Sequence, residues 1–448
     1  MNLRTSVLAR LLVMGVLMLL LLIPLAMTES VIAERTGRRN SVAAEVSTTW
    51  GGAQTIAGPV LVVPYRTTTM SNANNKPVQT MGRASFLPEA LDVQGIVDPD
   101  LRKRNLFKVV VYKAHLRLTG RFNKPDMASL TRAGTEPLWD EATVNIGITD
   151  PRGIARRITL KWNGQEIALA PGVSDTGLFA AGLHAPAPFR SEPASAIPFS
   201  LDLDLNGTRD LRVVPSGTET SMALTSTWPH PGFVGAPLPE PRIITDQGFS
   251  ASWRVPYFGR GFPPAWTDAT IDRDKLKAQC EIASFGVAFI QPVDIYQQAE
   301  RAVKYAALFI VLTFVVFFLC EVLRARLLHP VQYVFIGFAI CVFYLLLLSI
   351  SEHVGFDTAY ASAATATTLL IGVYSVFALG GAREGVLLGA AVAALYGFLY
   401  LLLRLEDYAL LAGSLGLFAM LAVLMLTTRR VNWYELRLGT TDGRDRIA

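Results

Sequence analysis

Cysteine is scarce in this chain: three in 448 residues, with Cys320 and Cys341 inside apolar runs and only Cys280 in the polar middle. A single cysteine cannot close a disulfide within that middle region, and no Cys/His spacing suits zinc. Histidine is also rare, at five. Missing too are G-x-S-x-G, H-E-x-x-H, the phosphate-binding loop of nucleotide hydrolases and the dinucleotide-binding glycine fingerprint. The expectation is therefore no catalytic residue, no metal site and no cofactor.

A basic cluster is lacking as well. The formal charge of +5 divides into +2 from Arg4 and Arg10, zero over 305–448, where nine arginines meet nine acids without a lysine, and +3 for the remainder, from 30 basic and 27 acidic side chains. Without a basic stripe or arm there is no electrostatic footprint for nucleic acid.

What the chain has in excess is apolar sequence: 51% hydrophobic residues and a mean hydropathy of +0.36. The excess lies at the two ends, in 11–27 and in most of 305–428. LLVMGVLMLLLLIPLAM follows two arginines and covers about 25 Å at the helical rise of roughly 1.5 Å per residue. It reads as a signal anchor. A cleaved signal peptide is the alternative, with Val31 and Ala33 as a weak small-residue pattern beyond it.

Five more spans are predicted near 305–323, 331–350, 359–380, 385–403 and 408–427, each close to the ~20 residues that cross a bilayer. Their loops alternate in charge: Arg324 and Arg326, then Glu352 and Asp357, then Arg383, then Arg404 with Glu406 and Asp407, then Arg429 and Arg430. Placing the arginine-rich loops in the cytoplasm meets the positive-inside rule with Arg404 as the exception. Both termini then face the cytoplasm, and residues from about 28 to 304 face outward. A bacterial inner membrane with a periplasmic domain is the simplest setting.

The middle region reads mainly as strands. GPVLVVPY, NLFKVVVYKAHLRLTGRF, EATVNIGITD, ITLKWNGQEIAL, FSLDLDLNG, DLRVVPSG and SMALTSTW are β-branched or alternating runs bounded by turn residues. In KWNGQE, Asn163 and Gly164 suit a tight hairpin turn. In FSLDLDLNG, Phe199, Leu201, Leu203 and Leu205 share one face and Ser200, Asp202 and Asp204 the other. A half-solvated antiparallel sheet explains those aspartates better than a calcium site does. Residues 29–47 can extend the first span as a polar helix, IYQQAERAVKY leads without a break into the span at 305, and 71–80 reads as an exposed loop. The expected fold is a membrane α-helical bundle plus a large β-rich extracytoplasmic domain, antiparallel and sandwich-like. Its expected divisions are an anchor at 1–28, the β-rich domain at 29–304, a five-helix bundle at 305–428 and a cytoplasmic tail at 429–448.

Three places carry residues of chemical interest. TSTWPHPGFVG holds His230 between Pro229 and Pro231, with Trp228 and Phe233 beside them. The prolines lack a ladder donor and bias their predecessors to extended backbone, so the reading is a rigid exit from a strand and a candidate interaction motif. Ser351, Glu352 and His353 sit together in a short outer loop, where helix capping is a better reading than catalysis, since neighbouring residues on a tight loop diverge. His329 before Pro330 reads as an interfacial anchor. Within the spans, ionisable groups keep to the edges, at Glu321, Glu352, Arg383, Glu384 and Arg404, which argues against ion-coupled transport. Gly381, Gly385, Gly389, Ala393 and Gly397 form a small-residue ridge for packing within the bundle, or for homo-oligomer formation.

GPVLVVP at 58–64, DPRGI at 150–154, DLRVVPSG at 210–217, LTSTWPHPGFVG at 224–235, ERAVKYAALFIVLTFVVFF at 300–318 and LHPVQYVFIGFAICVFYLLLLSISEHVGF at 328–356 recur in the same order in one family. In these stretches the chain resembles the CreD family of bacterial inner-membrane proteins. The match spans nearly the whole length, best over 210–356, with the last two helices matched mainly by hydropathy. The resemblance implies an envelope-stress output under a carbon-source-responsive two-component system, linked to envelope integrity, colicin tolerance and β-lactam response. It carries no catalytic residue onto any position here. The expected function is that of a non-enzymatic inner-membrane protein whose outer domain meets the bilayer's surroundings, envelope proteins or cell-wall components. The alternatives are a lipid or small-molecule transporter and a membrane-bound hydrolase using His230 or the 351–353 stretch.

Overall fold

A computed structural model describes residues 7–70, 77–131, 135–174, 177–189, 196–291, 295–324, 328–405 and 408–429. Most of the expected 71–80 loop, the loop arginine at 326, the acids at 406–407 and nearly all of the expected tail at 429–448 lie outside these residues. Eight α-helices are present among the described residues: α1 Val7–Trp50, α2 Arg273–Ala283, α3 Ile295–Lys304, α4 Ala306–Arg324, α5 Pro330–Val354, α6 Phe356–Leu379, α7 Ala382–Arg404 and α8 Ala409–Thr428. The chain divides into two compact units, one of residues 1–39 with 293–448 and one of residues 40–292.

The first unit is helical. α1, α5, α6, α7 and α8 are each long and apolar enough to cross a membrane, and α3 with α4 forms a sixth candidate bent by 45° at the break. The bend falls at Tyr305, between a polar amphipathic segment and the apolar FIVLTFVVFF run. α1 has no such break: with no glycine or proline between Pro24 and Gly37 it continues from the apolar stretch through a polar one to Trp50. Gly355, at φ +87°, separates α5 from α6, and Gly380, at φ +68°, separates α6 from α7, both in conformations that side chains with a Cβ resist.

The second unit is two β-sheets, mostly antiparallel. Eight strands form one sheet, in the order Arg242–Thr245, Gly248–Pro256, Glu219–Ser226, Ala90–Arg104, Phe107–Phe122, Ile197–Thr208, Thr159–Trp162 and Gln165–Ala168. The other has ten strands and is built on Gln54–Met70, which pairs in parallel with Asp210–Val213 and antiparallel with Pro77–Phe86 and Thr143–Ile148.

Alternation sets the faces. Phe199, Leu201, Leu203 and Leu205 are each at most 4% exposed, while Asp202 and Asp204 stay on the wet face. There they meet the residues directly across the ladder: Arg117 Nε donates to Asp202 at 2.7 Å and the His115 ring lies 2.6 Å from Asp204. Asn163, at φ +48°, and Gly164, at φ +83°, close the tight hairpin between Thr159–Trp162 and Gln165–Ala168. One contiguous core collects the inner faces, with Phe122 against Trp162 and Phe199, and Trp253 against Phe233 and Phe285.

Buried polar groups stitch the sheets to their loops. Gln54, fully buried, donates through Nε2 to the carbonyls of Asp150 and Asn206, and its Oε1 accepts from the Asp150 N–H. Asp150 caps the short 3-10 turn Pro151–Gly153 and receives Arg152 Nε and Nη2, each at 2.8 Å, together with the Gly52 N–H at 2.9 Å.

The Arg152 hydrogen bonds, set against partial burial, hold the Asp150 carboxyl below the usual aspartate value. A carboxylate depressed in the folded state stabilises above its unfolded value near 3.9, and that contribution disappears as pH falls toward the folded value. The β unit is expected to lose stability in acid below about pH 4, and Asp150→Asn to flatten that part of a pH series of thermal melts.

Candidate functional site

TSTWPHPGFVG leaves the eight-stranded sheet where Glu219–Ser226 ends, and Pro231–Val234 then joins the ten-stranded sheet as its terminal strand beside Phe285–Phe289. The Trp228 indole N–H donates to the Ile290 carbonyl at 2.9 Å. Phe233 stands edge-on to Phe249 and Trp253, at 5.9 and 5.8 Å between centroids. Trp228 and Phe233 thus pack against the unit, while His230 between its prolines is exposed. The stretch carries the chain from one sheet to the other and forms a short sheet edge.

A second locus has no forewarning in the sequence. Gly248–Pro256 runs into a 3-10 turn, Tyr257–Gly259, and the chain then crosses to the strand Ala265–Thr267. Arg260, in this crossing, is only 1% exposed. Its Nε donates to the Phe262 carbonyl at 3.1 Å, and its Nη1 to the carbonyls of Ser216 at 2.9 Å and Gly217 at 3.0 Å. The guanidinium lies 4.6 Å from the Tyr257 ring centre and 5.5 Å from that of Phe262. Nη2 is buried with no hydrogen-bond partner among the described residues. Burial lowers the Arg260 pKa, yet the cation persists, because arginine holds its proton far above neutrality.

Beside this brace opens a cleft of about 540 Å³. Its lining includes the rings of Tyr257, Phe258 and Phe262, Thr270 and Asp272 from the segment leading into α2, and Lys275 and Gln279 from α2 itself. Phe258 is 92% exposed. Asp272 caps α2, with Oδ1 accepting the Lys275 N–H at 3.1 Å. Nearby Cys280 is buried, and desolvation pushes its thiol up to about 12, which keeps it from acting as a nucleophile near neutral pH.

In the helical unit, Ser351, Glu352 and His353 occupy the last turn of α5, not a loop, because nothing interrupts the helix before Gly355. The Ser351 hydroxyl donates to the Leu348 carbonyl, Tyr296 Oη donates to Glu352 Oε1 at 3.0 Å, and Arg35 Nε lies 3.7 Å from the same oxygen. His329 caps the start of α5 in a reciprocal box: its Nδ1 accepts the Val331 N–H and its own N–H is received by Gln332 Oε1.

Glu321, counted from the sequence as an edge residue, is 1% exposed. It pairs with Arg10 and accepts from Tyr333 Oη at 2.8 Å, which ties α1, α4 and α5 together. Arg10 lies more than 300 residues away at the other end of the chain, so no local pattern announces that pairing.

Of the small-residue ridge, Gly385 and Gly389 face α6. A Cβ at Gly389 would lie 3.5 Å from the Gly372 Cα, and one at Gly385 would lie 2.7 Å from the Val376 backbone N. Gly381 is the N-cap of α7, and a Cβ at Gly397 would meet nothing within 4 Å. Gly385→Val is therefore expected to cost about 1–3 kcal/mol through overpacking of α6 on α7, and Gly397→Ala almost nothing. Thermal melts of the two purified variants check the contrast.

The family description "Inner membrane protein CreD" fits residues 6–434. Inner membrane protein CreD of Escherichia coli (strain K12) is 34% identical over 426 residues, covering 94% of this chain and 92% of that protein. Among solved structures, an M1 zinc metallopeptidase from Deinococcus radiodurans aligns with 39% of this chain and 41% of its own at 10% identity, with a TM-score of 0.19. A mutant of the same enzyme aligns over the same shares at 11% identity and the same TM-score. Likeness that slight carries no argument. The relative and the family description agree over both the helical unit and the β unit, and the chain belongs to the CreD family of inner-membrane proteins.

Proposed function

We propose that this chain is a non-enzymatic inner-membrane protein whose β unit lies in the periplasm and contributes to the integrity of the cell envelope. The observation that supports it most is the combination of an open, aromatic-lined cleft on the β unit with the chain's place between spans. Residues 40–292 lie between α1, which is preceded by Arg4 and begins with Arg10 near its start, and the bent α3/α4 span, which is followed by Arg324 and Arg326. By the positive-inside rule those flanking arginines stay in the cytoplasm, which puts the β unit outside. The similarity to an inner membrane protein CreD supports the same setting. A deletion strain is expected to be more sensitive than its parent to detergent, β-lactam and colicin challenge, with sensitivity reversed by the intact chain. Equal survival of both strains in all three challenges counts against the reading.

One observation favours a second reading, a lipid or small-molecule transporter. Buried Glu321 and Tyr333, joined by the partly exposed Arg10, place an ionisable group inside a helical bundle, where such groups often mark transport paths. Reproducible, substrate-specific movement across proteoliposomes containing the purified chain, abolished by Glu321→Gln, supports transport. Its absence leaves the cluster as a structural clamp.

A further inference from the structure

We propose that the cleft beside Arg260 is a saccharide-binding site, taking a neutral pyranose of one or two rings. The proposal deepens the envelope reading and rests on it only for the side of the membrane that the cleft faces.

A pyranose has two kinds of surface. Its ring C–H groups make an apolar face that lies flat on an aromatic ring, and its hydroxyls point outward in the ring plane, toward planar or hydroxylic side chains. The cleft offers both. Tyr257, Phe258 and Phe262 supply aromatic surface, and Thr270, Asp272, Lys275 and Gln279 supply donors and acceptors in the same lining. One acid and one base line it, so the lining is balanced and selects against a strongly charged ligand. Its volume of about 540 Å³ falls within the ordinary range for small-molecule sites and leaves room for a disaccharide.

Two features separate this cleft from an incidental dent. Phe258 is held 92% exposed at the tip of the 3-10 turn, edge-on to Tyr257 at 5.6 Å between centroids. A phenyl ring in that position gains almost nothing from folding, yet it is available to stack. The turn beneath it is fixed by a buried cation, a costly group to desolvate, bonded to three backbone carbonyls and lying against two rings of the lining. Arg260 is a positioning residue here: it fixes Tyr257 and Phe262 in orientation before a ligand arrives, which lowers the ordering cost of binding.

The test uses the full chain in a detergent without a sugar headgroup, titrated with diacetylchitobiose and cellobiose by calorimetry. Saturable binding is expected for at least one sugar, weakened about five- to tenfold by Phe258→Ala. Because Phe258 is exposed, that variant should melt at the wild-type temperature. Gln279→Ala, at a polar lining residue on α2, gives a second measure that leaves the aromatic turn's own residues in place. No saturable heat with either sugar overturns the proposal, and so does binding that both variants leave unchanged. Phe258-dependent binding of an unglycosylated peptide or of phospholipid vesicles, in place of sugar, overturns it in favour of that ligand. In cells, full complementation of a sensitive deletion strain by Phe258→Ala would sink the saccharide site and leave the envelope reading standing. A deletion without phenotype, beside intact sugar binding in vitro, would do the reverse.

Discussion

Glu321→Leu is expected to destabilise the helical unit by about 3–5 kcal/mol. The carboxylate is 1% exposed and faces Arg10 on α1 and the Tyr333 hydroxyl on α5. Removing it takes the counter-ion from a guanidinium whose side chain is 20% exposed and leaves a buried hydroxyl without its acceptor. The magnitude reflects the lost carboxylate partner of Arg10 and the lost acceptor of the Tyr333 hydroxyl, not the value of the pair itself. Arg10→Met combined with Glu321→Leu should therefore recover most of the loss, because two apolar side chains in contact need no partner. Melting of the purified chain in one fixed detergent compares the three variants. If the double variant falls by the sum of the two single losses, the residues do not act as a pair.

The second large effect belongs to the β unit. Phe122→Ala should cost about 3–5 kcal/mol, because the ring is 1% exposed and lies between Trp162, at 5.4 Å, and Phe199, at 5.5 Å, where a cavity cannot collapse onto flexible neighbours. Phe122 also ends the long strand and pairs across to Ile197, so its loss loosens the end of that strand pairing. Phe122→Leu keeps most of the volume and should cost less than half as much. Tryptophan fluorescence melts report the change directly through Trp162. A loss below about 1 kcal/mol for the alanine variant would mean that this cluster does not anchor the sheet packing.

These two sites also mark how far the sequence could be read. Strict alternation in FSLDLDLNG and the Asn163–Gly164 turn are local signals with period two and a positive φ, and both strand faces and hairpin follow from them. Ala90–Arg104 gives no such signal, since its second half is polar and contains Pro99. The sheet explains why: its parallel partner Glu219–Ser226 reaches only as far as Val97, so beyond that point the strand is an edge on one side, where proline is tolerated. Helix α2 is short and buries only Leu276, Cys280 and Ala283, too thin a stripe to stand out among charged residues.

The candidate sites divide in the same way. TSTWPHPGFVG is conspicuous because two prolines bracket a histidine beside one of only seven tryptophans, and its role as a strand exit follows from two residues that cannot donate to a ladder. The cleft at 257–279 is not conspicuous. Nothing local distinguishes Arg260, buried under two rings, from the arginines that point into solvent, because its burial depends on the carbonyls of Ser216 and Gly217, brought there by tertiary structure. The same holds for Arg10 and Glu321. A buried charge is defined by its partner, and that partner is set by the fold.

Cysteine labelling in cells decides whether the β unit faces the periplasm, as proposed. Phe258→Cys, in a chain whose three native cysteines are replaced by alanine, puts a thiol on a site that is 92% exposed. Treated with a membrane-impermeant maleimide after permeabilisation of the outer membrane alone, it should label to completion, while a cysteine in place of Arg429 should label only after the inner membrane is lysed. Protection of position 258 until inner-membrane lysis, with position 429 labelled beforehand, would invert the topology and contradict the envelope role derived from it.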